Sequence, residues 1–433
     1  MKKILILIIV FMALSLLVAS VVVSANVKED KKVAYFKVLN SEGKNLVKKY
    51  QRFEFDNNIV SIEAQKKDFD RLKKNKNIKF IEDVQVYEPL SFAVDPLTMK
   101  IPGSEDTGIT DTKRGCKLSD YGLPQINYGI KYMYEDMNLV RPSGGRNVRV
   151  AVIDTGANIS HADISRRVVL CKDLTVFPAV DTCADSLAPY GHGTLVASII
   201  AADGGADDIG MYGMAPEAQL LIYKVCNGNY CSDDSIARGI TDAVNNNANI
   251  ISISLGGSAL TSNIKNAVDY AADNNVLVIA AAGNYFGNNN VNTIMYPGAY
   301  YRIASVGAID SNYNPWVNSA AGTNDGDYIR EEREVELAAP GVLIVAANSQ
   351  GCYGYATGTS VAAPHVSGLA AKLWDGNAAN TRVNMWKSAY MHDLYIAGDD
   401  TITGFGMPTI NIRDAEFPFE KTINTKNTLP RRR

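Results

Sequence analysis

Between about residues 117 and 414 the sequence alternates short apolar runs with stretches of helical periodicity. Each apolar run is nearly continuous and rich in β-branched residues, which is typical of strands buried on both faces. Strands of this kind that alternate with helices form a parallel sheet. We therefore predict an α/β fold, a three-layer domain with a mostly parallel sheet flanked by helices. The clearest strand candidates are 148–153, 220–225, 250–255, 276–282 and 303–309, and the clearest helix candidates are 233–245 and 263–273.

The first 25 residues have the pattern of a secretory signal peptide. Lys2 and Lys3 precede an apolar run at 4–23, and small residues at Val23-Ser24-Ala25 offer a cleavage site. The run is long enough to just span a bilayer, so an uncleaved signal anchor is the alternative. We expect a secreted protein that contacts membranes only through this segment.

Three further segments flank or precede the α/β domain at 116–415. Residues 26–90 are rich in lysine and predict a small α+β module, with strands at 32–38, 58–63 and 78–86 and a helix at 65–76. Residues 91–115 have the Pro, Gly and polar content of a linker, and residues 416–433 form a polar tail.

Charge and cysteine content narrow the classes of partner. The net charge is only -3, which gives no indication of a nucleic-acid partner, and we expect a monomer.

Six cysteines in an exported chain predict disulfides, although the sequence alone does not choose among the pairings. Our working hypothesis pairs neighbours in sequence, Cys171 with Cys183 and Cys226 with Cys231, which leaves Cys116 with Cys352. The four histidines and the absence of a C-x-x-C pair argue against zinc.

Four polar residues lie where predicted elements begin or end. Asp154 and Asn284 each follow an apolar strand. His192, between two glycines, and Ser360, two residues after Gly358, each open a helix. Each has a purely structural explanation, as a turn residue or a helix cap. Together they supply the acid, base, nucleophile and oxyanion donor that acyl transfer requires.

The segments around these residues resemble the signature motifs of the subtilisin, or subtilase, family. The motifs are Asp154-Thr155-Gly156, Gly191-His192-Gly193-Thr194 and Gly358-Thr359-Ser360-Val361-Ala362-Ala363-Pro364-His365. Their order, Asp then His then Ser, is that of subtilisin. Stretches at 210–216, 252–257, 296–298 and 339–341 are also similar to the family, and the likeness covers about 122–412. Residues 26–90 resemble the family's inhibitory propeptide.

The resemblance implies a serine endopeptidase that hydrolyses protein or peptide substrates through an acyl-enzyme. Ser360 would be the nucleophile, His192 the base, Asp154 its orienting acid and Asn284 the oxyanion donor. It also implies substrate contacts at Ser254, Leu255, Gly256, Ala281, Ala282 and Gly283. Met295 stands where the best-known relatives carry glycine. This implies that the first specificity pocket, which holds the substrate residue before the cleaved bond, is shortened and prefers small or medium side chains.

The resemblance further implies a zymogen whose own propeptide is an intramolecular inhibitor. Self-cleavage near Leu90 is the first expectation, and the dibasic Lys113-Arg114 is a second candidate site. No cofactor is expected for the chemistry. Asp163 and Asp207 fall near positions that bind calcium in some relatives, so a structural calcium ion is an added prediction, with solvated loop acids as the alternative. For His161, His365 and His392 we expect packing or surface roles.

Two other readings of the sequence need consideration. Asp-Thr-Gly occurs at 106–108 as well as at 154–156, as an aspartic protease would require. The first copy lies in the polar linker without a preceding strand, and the two copies are too close for two lobes. A non-catalytic binding protein on the same fold is disfavoured because all four reactive groups are present.

Overall fold

The computed structural model of the protein describes residues 31–90, 92–94, 116–187, 191–285, 292–327 and 329–412. The chain divides into two compact units, the first ending at Val84 and the second beginning at Gln85. The predicted signal peptide, the Asp-Thr-Gly copy at 106–108, Lys113-Arg114 and the polar tail lie outside the described residues. Among the helices that are described, none combines the length and the apolar character needed to cross a bilayer.

The first unit is an antiparallel sheet with two helices. Its elements are β1 (Lys31–Val38), α1 (Ser41–Val47), β2 (Gln51–Phe55), β3 (Ile59–Gln65), α2 (Lys66–Lys73) and β4 (Ile78–Asp83), with strand order β2-β3-β1-β4. Phe69 and Leu72 of α2 are buried because their three-residue spacing places both on the face toward Phe36 and Ile62 of the sheet. This is the predicted α+β architecture, although the sequence patterns missed α1 and β2.

The second unit contains the predicted three-layer domain. Its strands are β5 (Val86–Pro89), β6 (Phe92–Val94), β7 (Arg149–Asp154), β8 (Val168–Asp173), β9 (Gln219–Lys224), β10 (Cys226–Asn227), β11 (Tyr230–Ser232), β12 (Ile250–Ile253), β13 (Leu255–Gly256), β14 (Leu277–Ala281), β15 (Ala304–Ile309), β16 (Leu337–Pro340), β17 (Ile344–Ala347) and β18 (Tyr353–Thr357). Its helices are α3 (Tyr128–Met133), α4 (His192–Ala201), α5 (Asp233–Asn245), α6 (Ser262–Asp273), α7 (Thr359–Leu373) and α8 (Ala378–Tyr390).

Seven of these strands form one sheet in the order β16-β15-β14-β12-β7-β9-β8, and every neighbouring pair is parallel. Helices α4 and α7 pack on each other and on the sheet, while α5 and α6 form a second packed pair. The strands are buried throughout the middle of the sheet, as the near-continuous apolar runs predicted. The mostly parallel, helix-covered sheet is therefore confirmed.

Two smaller sheets lie beside the central one. The first is antiparallel, in the order β10-β11-β5-β13, and the second has the order β17-β18-β6. The apolar run at 250–255, predicted as one strand, is two: β12 belongs to the central sheet, whereas β13 pairs with β5. Strands β8 and β16 were not predicted, because polar or small residues interrupt their apolar pattern.

All six cysteines form disulfides, in the pairs Cys116–Cys352, Cys171–Cys183 and Cys226–Cys231. The pairing hypothesis is thus confirmed. The two local bridges close short loops, whereas Cys116–Cys352 joins residues that are 236 positions apart in the chain.

Candidate active site

Three elements bring Asp154, His192 and Ser360 together. Asp154 ends β7, His192 is the first residue of α4 and Ser360 is the second residue of α7. His192 Nδ1 lies 2.7 Å from Asp154 Oδ1, and His192 Nε2 lies 3.2 Å from Ser360 Oγ. All three side chains are buried. They form one continuous chain of hydrogen-bonding groups from carboxylate to hydroxyl.

The local backbone explains why these residues meet. In an open parallel sheet the carboxyl ends of the strands share one edge, and Asp154 lies at that edge. Gly191 precedes His192 with a positive φ of 69°, and a Cβ there would lie 2.4 Å from Ser349 Cβ. Only glycine fits this turn without strain, so the motif's glycine sets the direction in which α4 presents His192.

The electrostatics of His192 suit a base. Burial by itself lowers the pKa of an imidazole, but here the charge and hydrogen bond of Asp154, with a further contribution from Asp185, outweigh it. The net pKa of His192 is raised above its ordinary value. A carboxylate that stabilises the imidazolium is the arrangement that lets a histidine accept a hydroxyl proton.

Asp185 is a carboxylate of this site that the sequence patterns missed. Its two oxygens accept hydrogen bonds from the hydroxyls of Thr155 and Thr194, each at 2.7 Å, and from the Thr194 backbone N–H at 2.9 Å. Thr155 follows Asp154, and Thr194 lies in the first turn of α4 with His192. Asp185 therefore ties the strand that carries the acid to the helix that carries the base.

Asn284 lies beside Ser360 with its amide orientation fixed. Its Oδ1 accepts hydrogen bonds from the Thr359 backbone N–H and from the Thr359 hydroxyl, both at 2.9 Å. The Nδ2 group therefore points away from Thr359 and donates to the carbonyl oxygen of Leu90 at 2.6 Å. Thr359 was also not singled out from the sequence, because its role depends on this contact.

The carbonyl of Leu90 occupies the centre of the site. Besides Asn284 Nδ2, its oxygen accepts a hydrogen bond from the Ser360 backbone N–H at 3.2 Å and also contacts the Ser360 hydroxyl. The Leu90 N–H donates to the Ser254 carbonyl at 3.1 Å. The preceding strand β5 pairs antiparallel with Leu255 and Gly256 through Pro89 and Glu88. Residues 85–90 thus lie in the cleft as an extended peptide.

The side chain of Leu90 is buried next to Met295. A Cβ on Gly256 would lie 2.7 Å from Leu90 Cδ1 and 3.0 Å from Met295 Sδ, and one on Gly283 would lie 2.9 Å from Met295 Cγ. Met295 is held there because its N–H donates to the Ala282 carbonyl at 2.8 Å. Ala281 ends β14 and is fully buried.

Asp163 and Asp207, the predicted calcium ligands, approach each other around Gly205. A Cβ there would lie 3.3 Å from Asp163 Oδ1 and 3.4 Å from Asp207 Oδ1. Asp163 Oδ2 already accepts hydrogen bonds from Met211 N–H and the Tyr353 hydroxyl, both at 2.8 Å. Nearby, the carbonyls of Asp203 and Gly205 accept hydrogen bonds from the Arg166 guanidinium.

Calcium takes about six to eight oxygen ligands. The two carboxylates supply fewer, and the described part of the chain holds no cluster of three or more His, Cys, Asp or Glu suited to a metal. These donors do not by themselves make up a calcium site, and a structural calcium ion stays a prediction.

With this geometry in place, comparison with known proteins decides the family. The family model for the subtilase family matches residues 145–406, which include Asp154, His192, Asn284 and Ser360. The chain belongs to the subtilase family. A subtilisin from Bacillus sp. (strain TA39) is 34% identical over 409 residues, covering 87% of this chain and 91% of that protein.

Solved structures agree with this assignment. Sphericase is 36% identical, with a TM-score of 0.63, and the match covers 66% of this chain and 99% of sphericase. Fervidolysin from Fervidobacterium pennivorans, at 24% identity and a TM-score of 0.66 over 89% of this chain and 61% of that one, supports the fold alone. This subtilase is accordingly a serine-type endopeptidase, a hydrolase of protein or peptide substrates.

Proposed function

We propose that this subtilase is a secreted endopeptidase that cleaves its own precursor after Leu90. Ser360 Oγ attacks the carbonyl carbon of the scissile peptide bond while His192 Nε2 takes the hydroxyl proton. Asp154 stabilises the resulting imidazolium. The oxyanion is held by Asn284 Nδ2 and the Ser360 backbone N–H. His192 then gives the proton to the leaving amine, and a water molecule hydrolyses the acyl-enzyme by the same steps in reverse order.

The observation that carries this proposal is the position of the Leu90 carbonyl. Its oxygen already accepts hydrogen bonds from the two donors assigned to the oxyanion, at 2.6 Å from Asn284 Nδ2 and 3.2 Å from Ser360 N. The carbonyl that a protease attacks must lie beside both the nucleophile and these donors. Leu90 meets both conditions, which supports cleavage of the Leu90–Ser91 bond.

The same observation supports inhibition by the propeptide. Residues 85–90 fill the groove that any other substrate would need, with Leu90 in the first pocket. We propose that the segment ending at Leu90 blocks the site until it is released. The position of Leu90 beside Met295 also supports the predicted preference for small or medium side chains at the cleaved position.

Secretion rests on two features of the chain. Lys2, Lys3 and the apolar run at 4–23 have the pattern of an export signal. All six cysteines are oxidised in three disulfides, which persist in oxidising compartments outside the cytosol.

Mass spectrometry of the secreted wild type beside Ser360→Ala tests the proposal. We expect the wild type to yield a new N-terminus at Ser91 or later and the variant to accumulate as an uncut precursor, because the variant has no nucleophile. Ser367→Ala, which changes another buried serine of α7, is the matched control and should still be processed. If purified Ser360→Ala matures by itself at the same position, the proposed self-cleavage is wrong.

A further inference from the structure

We propose that the Cys226–Cys231 disulfide positions one wall of the substrate groove, and that it makes this protease depend on substrate residues four or more positions before the scissile bond. The inference rests on the proposed endopeptidase function. It concerns the hairpin of β10 and β11, to which no role was assigned from the sequence beyond the disulfide itself.

The groove has two walls, and β5 lies between them as the third of four strands. On one side β13 pairs with Glu88 and Pro89. On the other side β11 pairs with β5 antiparallel, in the register Cys231 to Tyr87 and Ser232 to Val86. Beyond β11 the contact continues, because the Gln85 backbone exchanges hydrogen bonds of 3.1 Å with the backbone N–H and carboxylate of Asp233.

The two walls reach different parts of a substrate. If Leu90 is the residue at the cleaved bond, β13 and Ser254 contact that residue and the two before it, whereas β11 reaches only the fourth and fifth, Tyr87 and Val86. A peptide of two residues before the cleaved bond therefore touches β13 but not β11. A change that disturbs the hairpin should therefore affect the cleavage of long substrates and leave the cleavage of short ones unaltered.

The two walls also differ in how they are supported. β13 follows directly from the central strand β12, and Ser254 between them donates a hydrogen bond of 3.0 Å to the Ser360 carbonyl. The hairpin consists of only two residues in β10 and three in β11. Two-stranded hairpins are marginally stable by themselves in water. Once residues 85–90 leave, β11 loses β5, one of its two partner strands, and keeps β10.

The disulfide joins residues that lie directly opposite each other in the hairpin, Cys226 and Cys231, and both are fully buried. The Ser186 hydroxyl supports the hairpin a second time. It donates a hydrogen bond to the Cys226 carbonyl at 2.9 Å and accepts one from the Gly228 backbone N–H at 3.2 Å. A wall that is already ordered before binding lowers the entropy cost of docking the peptide. The Cys226–Cys231 disulfide therefore strengthens the binding of substrates that reach β11.

The fourth residue, Tyr87, is held by both walls. Its backbone pairs with Cys231 of β11, while its side chain, only 1% exposed, contacts the segment that follows β13: the hydroxyl donates to the Ala259 carbonyl, and a Cβ on Gly257 would lie 2.8 Å from the ring. Burying a tyrosine of this kind supplies a large part of the binding energy of a short peptide. A displaced β11 would leave the Tyr87 backbone unpaired on the side away from β13.

The test compares Cys226→Ser/Cys231→Ser with the wild type on two p-nitroanilides, acetyl-Val-Tyr-Glu-Pro-Leu and acetyl-Pro-Leu. Active sites are counted with a serine-directed phosphonyl fluoride. Losing the ordered wall should raise KM for the long peptide by about tenfold, the equivalent of one or two backbone hydrogen bonds, with little change in kcat. The short peptide should be cleaved equally by both proteins.

Controls separate the outcomes. Cys171→Ser/Cys183→Ser removes the other short-range bridge and should leave the ratio of the two KM values unchanged. Ser186→Ala keeps the disulfide but loosens the hairpin, so it should raise KM for the long peptide by a smaller factor even if the double cysteine variant does not fold. Equal losses on both peptides, or an unchanged KM for the long one, would overturn the inference. Failure of the wild type to cleave either peptide would instead contradict the proposed function.

Discussion

Two buried histidines of this subtilase stand in signature motifs, His192 at the start of α4 and His365 in the middle of α7, yet they differ in electrostatics. His192 Nδ1 lies 2.7 Å from a carboxylate oxygen of Asp154, and its pKa is raised. The two hydrogen-bonding partners of His365 are neutral, the Val361 carbonyl at 2.9 Å and the Asn127 side-chain oxygen at 3.1 Å. Burial lowers the pKa of His365 to about 4, and the hydrogen bond to Val361 offsets it only in part.

The difference shows that burial alone does not make a histidine a base. Desolvation opposes the charged form in both cases, and only a neighbouring negative charge reverses the result. The charge of Asp154 therefore stabilises a proton on His192, whose Nε2 faces Ser360 Oγ, whereas His365 stays neutral and packs against Gly129. A histidine in a signature motif is thus reactive or structural according to the group that faces its second nitrogen.

The largest expected difference between the two is in catalysis. His192→Ala should lower kcat by about 10⁴-fold or more, because both the proton acceptor and its coupling to Asp154 are lost. His365→Gln, which keeps a neutral hydrogen-bonding side chain, should keep kcat within about tenfold and lower stability by about 1–3 kcal/mol. Peptide hydrolysis and thermal unfolding of the two variants, each counted per folded molecule, check this. Comparable losses of kcat in both would show that the distinction drawn between the two histidines is wrong.

The reactive histidine could be chosen from sequence because its motif is local. Gly191 and Gly193 flank His192, Asp154 ends an apolar strand and Ser360 opens a helix, so each signal lies within a few residues. The parallel sheet was predictable for a similar reason, since strands buried on both faces must be apolar along their length. The resemblance to subtilases then joined the separate signals into one site.

The residues that sequence missed depend on contacts between distant segments. Asp185 lies in a loop, and its function arises only because it meets Thr155 and Thr194. Strand β11 has three residues, too few for a period to be recognised, and its pairing with both β10 and β5 appears only in the structure. The break at Ser254 within the run 250–255 is invisible to hydropathy, since both halves are apolar.

Asp185 is a second negative charge that raises the pKa of His192, and His365 has no counterpart among its hydrogen-bonding partners. Asp185→Asn should lower kcat/KM by about 10²-fold, since the carboxylate both contributes to the raised pKa of His192 and holds Thr155 and Thr194 in place. The acidic limb of the pH–rate profile should also move to lower pH, which a purely structural loss would not cause. Asp181→Asn, a change to an exposed acid in the same loop, is the control. An unmoved acidic limb would limit Asp185 to a packing role.

The smallest expected effect is on the pH dependence of stability, to which the two histidines contribute with opposite sign. The raised pKa of His192 means that it stabilises the fold below the unfolded pKa of about 6.5, and this contribution is lost as pH rises through the folded value. His365, with a folded pKa of about 4, contributes stability above pH 6.5 that is lost as pH falls, by about 2 kcal/mol at pH 5.

Unfolding midpoints of a His365 variant and a His192 variant, measured between pH 5 and 8 in the Ser360→Ala background to avoid self-digestion, should therefore change with pH in opposite directions relative to the parent protein. His365→Gln should reduce the loss of stability in acid, whereas His192→Gln should increase it, because the two substitutions remove proton-linked terms of opposite sign. Parallel pH profiles for the two variants would mean that the carboxylate of Asp154 does not distinguish them.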